Sequence, residues 1–145
     1  MRQIAVLVLL VSTGWAEQNT DIQTLDNAGL LQHAAVTVAY LHDSMLDPAS
    51  FVLDSVLITK PDKKGKISIC YAFRSHNKMG GYSEGRAVEW GVDHNKLSVF
   101  SVDNGAGKYP GYDVGWMAPC KDKSIDREIT ASVSGIAPNL YKKTL

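Results

Sequence analysis

Residues 67–73 alternate without interruption. Ile67, Ile69, Tyr71 and Phe73 take one side of an extended chain, and Ser68, Cys70, Ala72 and then Arg74 take the other. Successive side chains of a strand point to opposite faces, so this run commits the chain to a sheet with one large apolar face. The opposite face is small and carries a cysteine. The second cysteine, Cys120, lies 50 residues on. A Cys70–Cys120 bridge would pin the C-terminal segment to that small face. Closing a loop of this length would stabilise the fold by roughly 4 kcal/mol on the chain-entropy account. Two buried free thiols are the alternative. Metal binding is disfavoured, because neither cysteine has a C-x-x-C neighbour.

The flanking segments extend the same sheet. Residues 53–59 are rich in β-branched and large apolar side chains and read as a strand. A turn with proline, glycine and four lysines follows at 60–66; it is a solvated hairpin tip that could also touch anionic ligands. Residues 75–81 form the next turn, where Gly80 and Gly81 allow positive φ or close backbone approach, and Gly81→Val tests whether positive φ is needed at that position. Residues 82–90 return as a strand with Glu84, Arg86, Val88 and Trp90 on one face, and 97–102 follow as another. Four such segments in succession predict an antiparallel meander. Upstream, Asp26 or Asn27 can cap a helix whose apolar stripe is Leu31, Ala34, Val38, Leu41 and Met45. That phasing puts His42 at the stripe's edge and His33 on the opposite side. Pro48 ends the helix, because the residue before a proline avoids helical geometry. Downstream, Ile125, Ile129, Val133 and Ile136 have helical spacing, but Thr130, Ser132 and Ser134 leave that segment ambiguous.

The expected fold is therefore α+β: one N-terminal amphipathic helix on an antiparallel sheet of four to five strands, with a disulfide to the C-terminal segment. At 145 residues the chain is one domain's worth, and its 45% hydrophobic content excludes wholesale disorder. Residues 27–141 are taken as the domain, 17–26 as a flexible lead-in and 142–145 as a frayed tail. Residues 1–16 read as a signal peptide: Arg2 supplies the positive start, 4–11 are unbroken apolar residues, and Gly14 and Ala16 give a small-x-small cleavage site. A buried first helix or strand is the competing reading. The apolar run is too short for a stable membrane anchor, which takes about 20 residues. Export to the periplasm or the medium also suits a cysteine pair.

Motifs for chemistry are sparse. Lys+Arg and Asp+Glu both number 15, so no basic excess points to nucleic acid. In the glycine-rich stretch 104–115, Gly107-Lys108 is followed by Tyr109 rather than Ser or Thr, so a Walker loop is not present. No His-Glu-x-x-His occurs. No cofactor and no metal site is expected. A hydrolase would need the fold to bring His76 or His94 beside Glu84 or Asp93. The aromatics Tyr71, Tyr82, Trp90, Tyr109, Tyr112 and Trp116 cluster around the hairpin and the glycine loop, as core or as a binding surface. The speculative binding residues are Asn77, Lys78, Gly80, Gly81, Tyr82, Lys108, Tyr109 and Tyr112, and the partner expected is a protein or a cell-envelope component. An inhibitor that plugs the cleft of an extracellular hydrolase is one special case of that expectation.

Cys70, Asn77, Gly80, Gly81 and Tyr82 together resemble a pattern in small exported bacterial proteins, also encoded by phages, in which a strand cysteine is followed by Asn-x-x-Gly-Gly-Tyr. Ala72 and Arg74 stand where the resemblance implies Glu and Asn, so this chain lacks that polar pair. The resemblance spans some 20 to 40 residues of the chain around one loop. It implies an exported α+β domain and no established activity.

Overall fold

A computed structural model describes residues 21–90, 97–101, 119–120 and 124–142. The described elements in chain order are helix α1 (Asn27–Asp43), strands β1 (Val52–Thr59), β2 (Ile69–His76), β3 (Tyr82–Glu89), β4 (Leu97–Ser101) and β5 (Ile125–Glu128), and helix α2 (Thr130–Ile136). The five strands form one antiparallel sheet in the order β4-β3-β2-β1-β5. The first four are the expected meander. The fifth adds to the free edge of β1, and the ambiguous C-terminal segment thus divides between a short strand and a short helix. The helix lies at Asn27–Asp43, so the expected placement at the chain's N-terminus is not supported; residues 1–20 lie outside the described ones.

The alternation of β2 divides the sheet as its sequence dictates. Ile69, Tyr71 and Phe73 enter the main core with Val56, Ile58 and Ala87, beneath α1 and α2. Cys70 enters a smaller cluster on the other face with Val88, Leu57, Trp90 and Cys120. Cys70 and Cys120 form a disulfide with their Cα atoms 6.1 Å apart. On β1, an irregularity between Leu53 and Ser55 lets Leu53 and Val56 join the same core although they are three residues apart. On β3, Gly85 lies opposite Phe73, and a Cβ there would stand 2.3 Å from the Phe73 ring. The absent side chain is what lets that ring lie across the sheet.

Helix α1 begins where Asp26 caps it, accepting from the Gly29 N–H at 2.7 Å. Its buried residues include Leu30, His33, Ala34, Thr37, Val38 and Leu41. That is an i, i+3, i+4, i+7, i+8, i+11 stripe. It is phased on Leu30, not on Leu31, which is only half-buried. The shift of one residue corrects the expectation for His33: it belongs to the buried face. Ala35 and Ala39 are buried as well, on a helix that also contacts α2 and the turn Ala137–Leu140.

Residues 21–26, expected to be loose, are docked. Ile22 is fully buried, and the Gln23 side chain bonds both backbone groups of Ile67, at 2.8 and 2.9 Å. At the other terminus Tyr141 stacks on His42 at 3.6 Å, and the Lys142 N–H donates to the Asp43 carboxylate at 3.2 Å. The expected fraying can therefore begin only after Lys142, and 143–145 lie outside the described residues.

Candidate functional site

The β2–β3 hairpin projects the best-organised exposed feature among the described residues. Its turn is built by Asn77, whose Oδ1 accepts from the Met79 N–H at 2.9 Å and the Gly81 N–H at 3.2 Å. The backbone closes it from both sides, Asn77 N–H to Gly81 O at 2.8 Å and Gly80 N–H to Asn77 O at 3.1 Å. Gly80 sits at φ +80°, a region that L side chains enter only at a cost. Gly81 does not, which answers the question raised at that position: the positive φ belongs to Gly80 alone. A Cβ on Gly81 would meet the Asn77 side chain at 3.7 Å, an ordinary contact. Gly80→Ala is therefore expected to cost about 1 kcal/mol, while Gly81→Ala stays within about 0.5 kcal/mol of the wild type. Urea midpoints of the two variants check this, and equal losses would count against the turn geometry.

A rigid turn with a satisfied backbone still presents apolar surface. Met79 at the tip is 94% exposed and Tyr82 52%. The Tyr82 ring packs on His76 at 4.3 Å, with the Arg74 guanidinium 5.7 Å from its centroid. Arg74 is itself held by both oxygens of Asp54, its Nε at 3.0 Å from each. The Asp54 hydrogen bonds and charge raise the guanidinium's pKa, and the cation stands against the Tyr82 ring. His76 reaches Asp47 at 3.3 Å, and next to Asp47 Leu46 is 65% exposed. His76 thus links Tyr82 to Asp47, the chain neighbour of exposed Leu46.

A second polar cluster lies inside the core. Glu89 closes β3 on its inner face, in line with Ala87. Its Oε1 accepts from Thr37 Oγ1 at 2.9 Å and from the Tyr71 hydroxyl, and its Oε2 lies 2.5 Å from His33 Nε2. A carboxylate oxygen accepts, so Nε2 is the nitrogen that carries the hydrogen. Each of the four side chains is less than a tenth exposed. Three donors on one carboxylate meet the requirement that a buried charge be fully bonded. These bonds tie α1 to the end of β3.

Burial, and after it the Glu89 charge, pushes the Tyr71 hydroxyl well above the ordinary tyrosine value. An unfolded tyrosine ionises near pH 10. Above that the folded chain holds a proton the unfolded chain releases, so stability falls as pH rises, by about 1.4 kcal/mol per pH unit for one group. Tyr71→Phe is expected to flatten this fall while lowering stability at neutral pH. Tyr141 is shifted the same way by burial and by Asp43, so the comparison with the wild type carries the test. Parallel urea curves from pH 8 to 11 would show no Tyr71 contribution.

Of the sequence-derived binding residues, the structure brings Asn77, Lys78, Gly80, Gly81 and Tyr82 together in the hairpin. Asn77 acts inside the turn, and Lys78 and Tyr82 are exposed. Lys108, Tyr109 and Tyr112 lie outside the described residues, as do Asp93 and His94. His76 takes Asp47 as its carboxylate; Glu84 turns to Arg86 at 3.4 Å. Sequence reasoning missed His33, Thr37, Glu89 and Asp47. A signal was present for two of them. Glu89 sits on the apolar face of its strand by alternation with Ala87. Thr37 follows His33 by four residues, which places the two on one helical face. Nothing local marks Asp47 as the partner of a histidine 29 residues away.

Among the described residues, no three His, Cys, Asp or Glu side chains converge as a metal site, and no helix is long and apolar enough to cross a membrane. No family model matches the chain, and no curated protein or solved structure is significantly similar to it.

Proposed function

We propose that this chain is an exported bacterial binding domain that docks a protein or an envelope component through its β2–β3 hairpin. The observation that carries the reading is the contrast within one turn. Asn77 and Gly80 make its backbone rigid and self-satisfied, while Met79 and Tyr82 are left in solvent. Large side chains on a pre-organised loop bury area at low entropic cost, which is how hot-spot residues work. The disulfide is compatible with an oxidising compartment outside the cytoplasm. In this reading residues 1–16 are removed as a signal peptide, α1 becomes the first helix of the secreted or periplasmic chain, and the glycine loop with Lys108, Tyr109 and Tyr112 adds to the binding surface. Inhibition of an extracellular hydrolase is the special case in which Met79 enters the enzyme's cleft.

Crosslinking and co-purification from the native envelope and medium test it. A partner should be recovered with the wild type and lost with Met79→Ala/Tyr82→Ala, and retained by Tyr40→Ala, a change of an exposed aromatic on α1. Recovery unaffected by the hairpin variant would remove the hairpin from the function. A small hydrolase is the alternative, and the His76–Asp47 pair at 3.3 Å is the contact that favours it. Turnover of a simple ester or glycoside that disappears in Asp47→Asn would decide for it.

A further inference from the structure

The connection between β1 and β2 concentrates positive charge. Lys60, Lys63, Lys64 and Lys66 fall within seven residues of a chain whose formal net charge is zero. The one acid among them, Asp62, is folded into the turn. Its Oδ1 accepts from the Lys64 N–H at 2.8 Å and the Lys66 N–H at 2.9 Å, and its backbone bonds Lys66 O and the Gly65 N–H, each at 2.9 Å. The Lys66 bond leads the set that holds the Asp62 carboxyl below its ordinary range. That carboxylate is occupied by backbone donors and organises the loop. Lys60, Lys63 and Lys64 are exposed and Lys66 half-buried. Among the described residues, no carboxylate lies within ion-pair distance of any of the four ammonium groups, whereas Arg74, Arg86 and Arg127 each have one. Strand β2 separates this loop from the Asn77 turn by eight residues, about 25 Å. The two loops therefore point away from each other.

We propose that loop 60–66 is an electrostatic docking surface for the anionic lipid headgroups of a membrane. Lysine is a hydrated point charge on a flexible stem, suited to a layer of mobile phosphates and not to a shaped pocket. Residues 60–66 contain no aromatic side chain, so the loop lacks the stacking platform that single-stranded nucleic acid needs. It presents no helix or long ribbon to enter a duplex groove. Bound this way, the domain would hold its hairpin toward the solvent. The proposal does not depend on what the hairpin binds.

The test is sedimentation of the full, disulfide-bonded chain with phosphatidylcholine vesicles containing 30 mol% phosphatidylglycerol, against vesicles of phosphatidylcholine alone. Neutral vesicles report any partition due to the apolar run 4–11, so the difference between the two is the readout. Binding to the anionic vesicles is expected at 50 mM salt and is expected to vanish at 500 mM, since exposed charges are screened. Lys63→Gln/Lys64→Gln should weaken it on the order of 30-fold, at about fivefold per lysine. Lys142→Gln, beside Asp43 and outside the loop, should leave it unchanged. Equal partition onto neutral vesicles, an unaffected double variant, or tighter binding to duplex DNA than to the vesicles would each overturn the proposal. Unchanged circular dichroism of the variants guards against misfolding, and Lys60→Gln/Lys66→Gln provides an independent pair with the same expected loss.

Discussion

Glu89→Ala is expected to lower stability by about 3 to 5 kcal/mol, a large share of the total for a domain of this size. The substitution removes the acceptor shared by His33, Thr37 and Tyr71, and leaves three donors buried without it. It also disconnects the polar link between α1 and the end of β3. Urea unfolding followed by near-ultraviolet circular dichroism would register both the loss and any loosening of Tyr71. The size of the effect reflects a broken pair, not the worth of an intact one. Replacing His33 by leucine as well should recover only part of the loss, because it removes one of the three stranded donors while Thr37 and Tyr71 stay buried without their acceptor. The double-mutant cycle separates these terms. A Glu89→Ala loss below about 1 kcal/mol would mean that the cluster is solvated in solution and does not secure the helix.

Breaking the Cys70–Cys120 bridge should cost a comparable amount. Cys120→Ser releases a 50-residue loop in the unfolded chain, worth roughly 4 kcal/mol, and should lower Tm by about 10 to 15 °C. Cys70, fully buried on β2, should then resist thiol reagents in the folded state and react on unfolding. The converse Cys70→Ser should expose a reactive Cys120 with a similar loss of Tm. Two reactive thiols in wild-type protein isolated without reductant, together with an unchanged melt in either variant, would refute the bridge. The two losses arise on opposite faces of the sheet, because Glu89 and Cys70 point to opposite sides of it. Their effects should add within about 0.5 kcal/mol.

The sequence by itself determined the faces of the sheet. Alternation over residues 67–73 is local and strict, so it placed Tyr71 and Phe73 in the core and Cys70 toward Cys120 before any partner was known. Capping by Asp26 and the hairpin turn at 77–81 were legible for the same reason: each rests on groups within four residues of one another. The tertiary structure decided the phase of α1, because an alanine-rich helix has apolar residues nearly all round and its pattern does not choose between Leu30 and Leu31. It also decided the partners of Glu89, which stand 52 and 56 residues away on that helix, and of His76, which found Asp47 and not Glu84. A backbone pattern repeats every two or three to four residues and can be read in place. The partner of a buried charge is chosen by whichever donors the packed elements bring within 3 Å, and only the folded chain makes that choice.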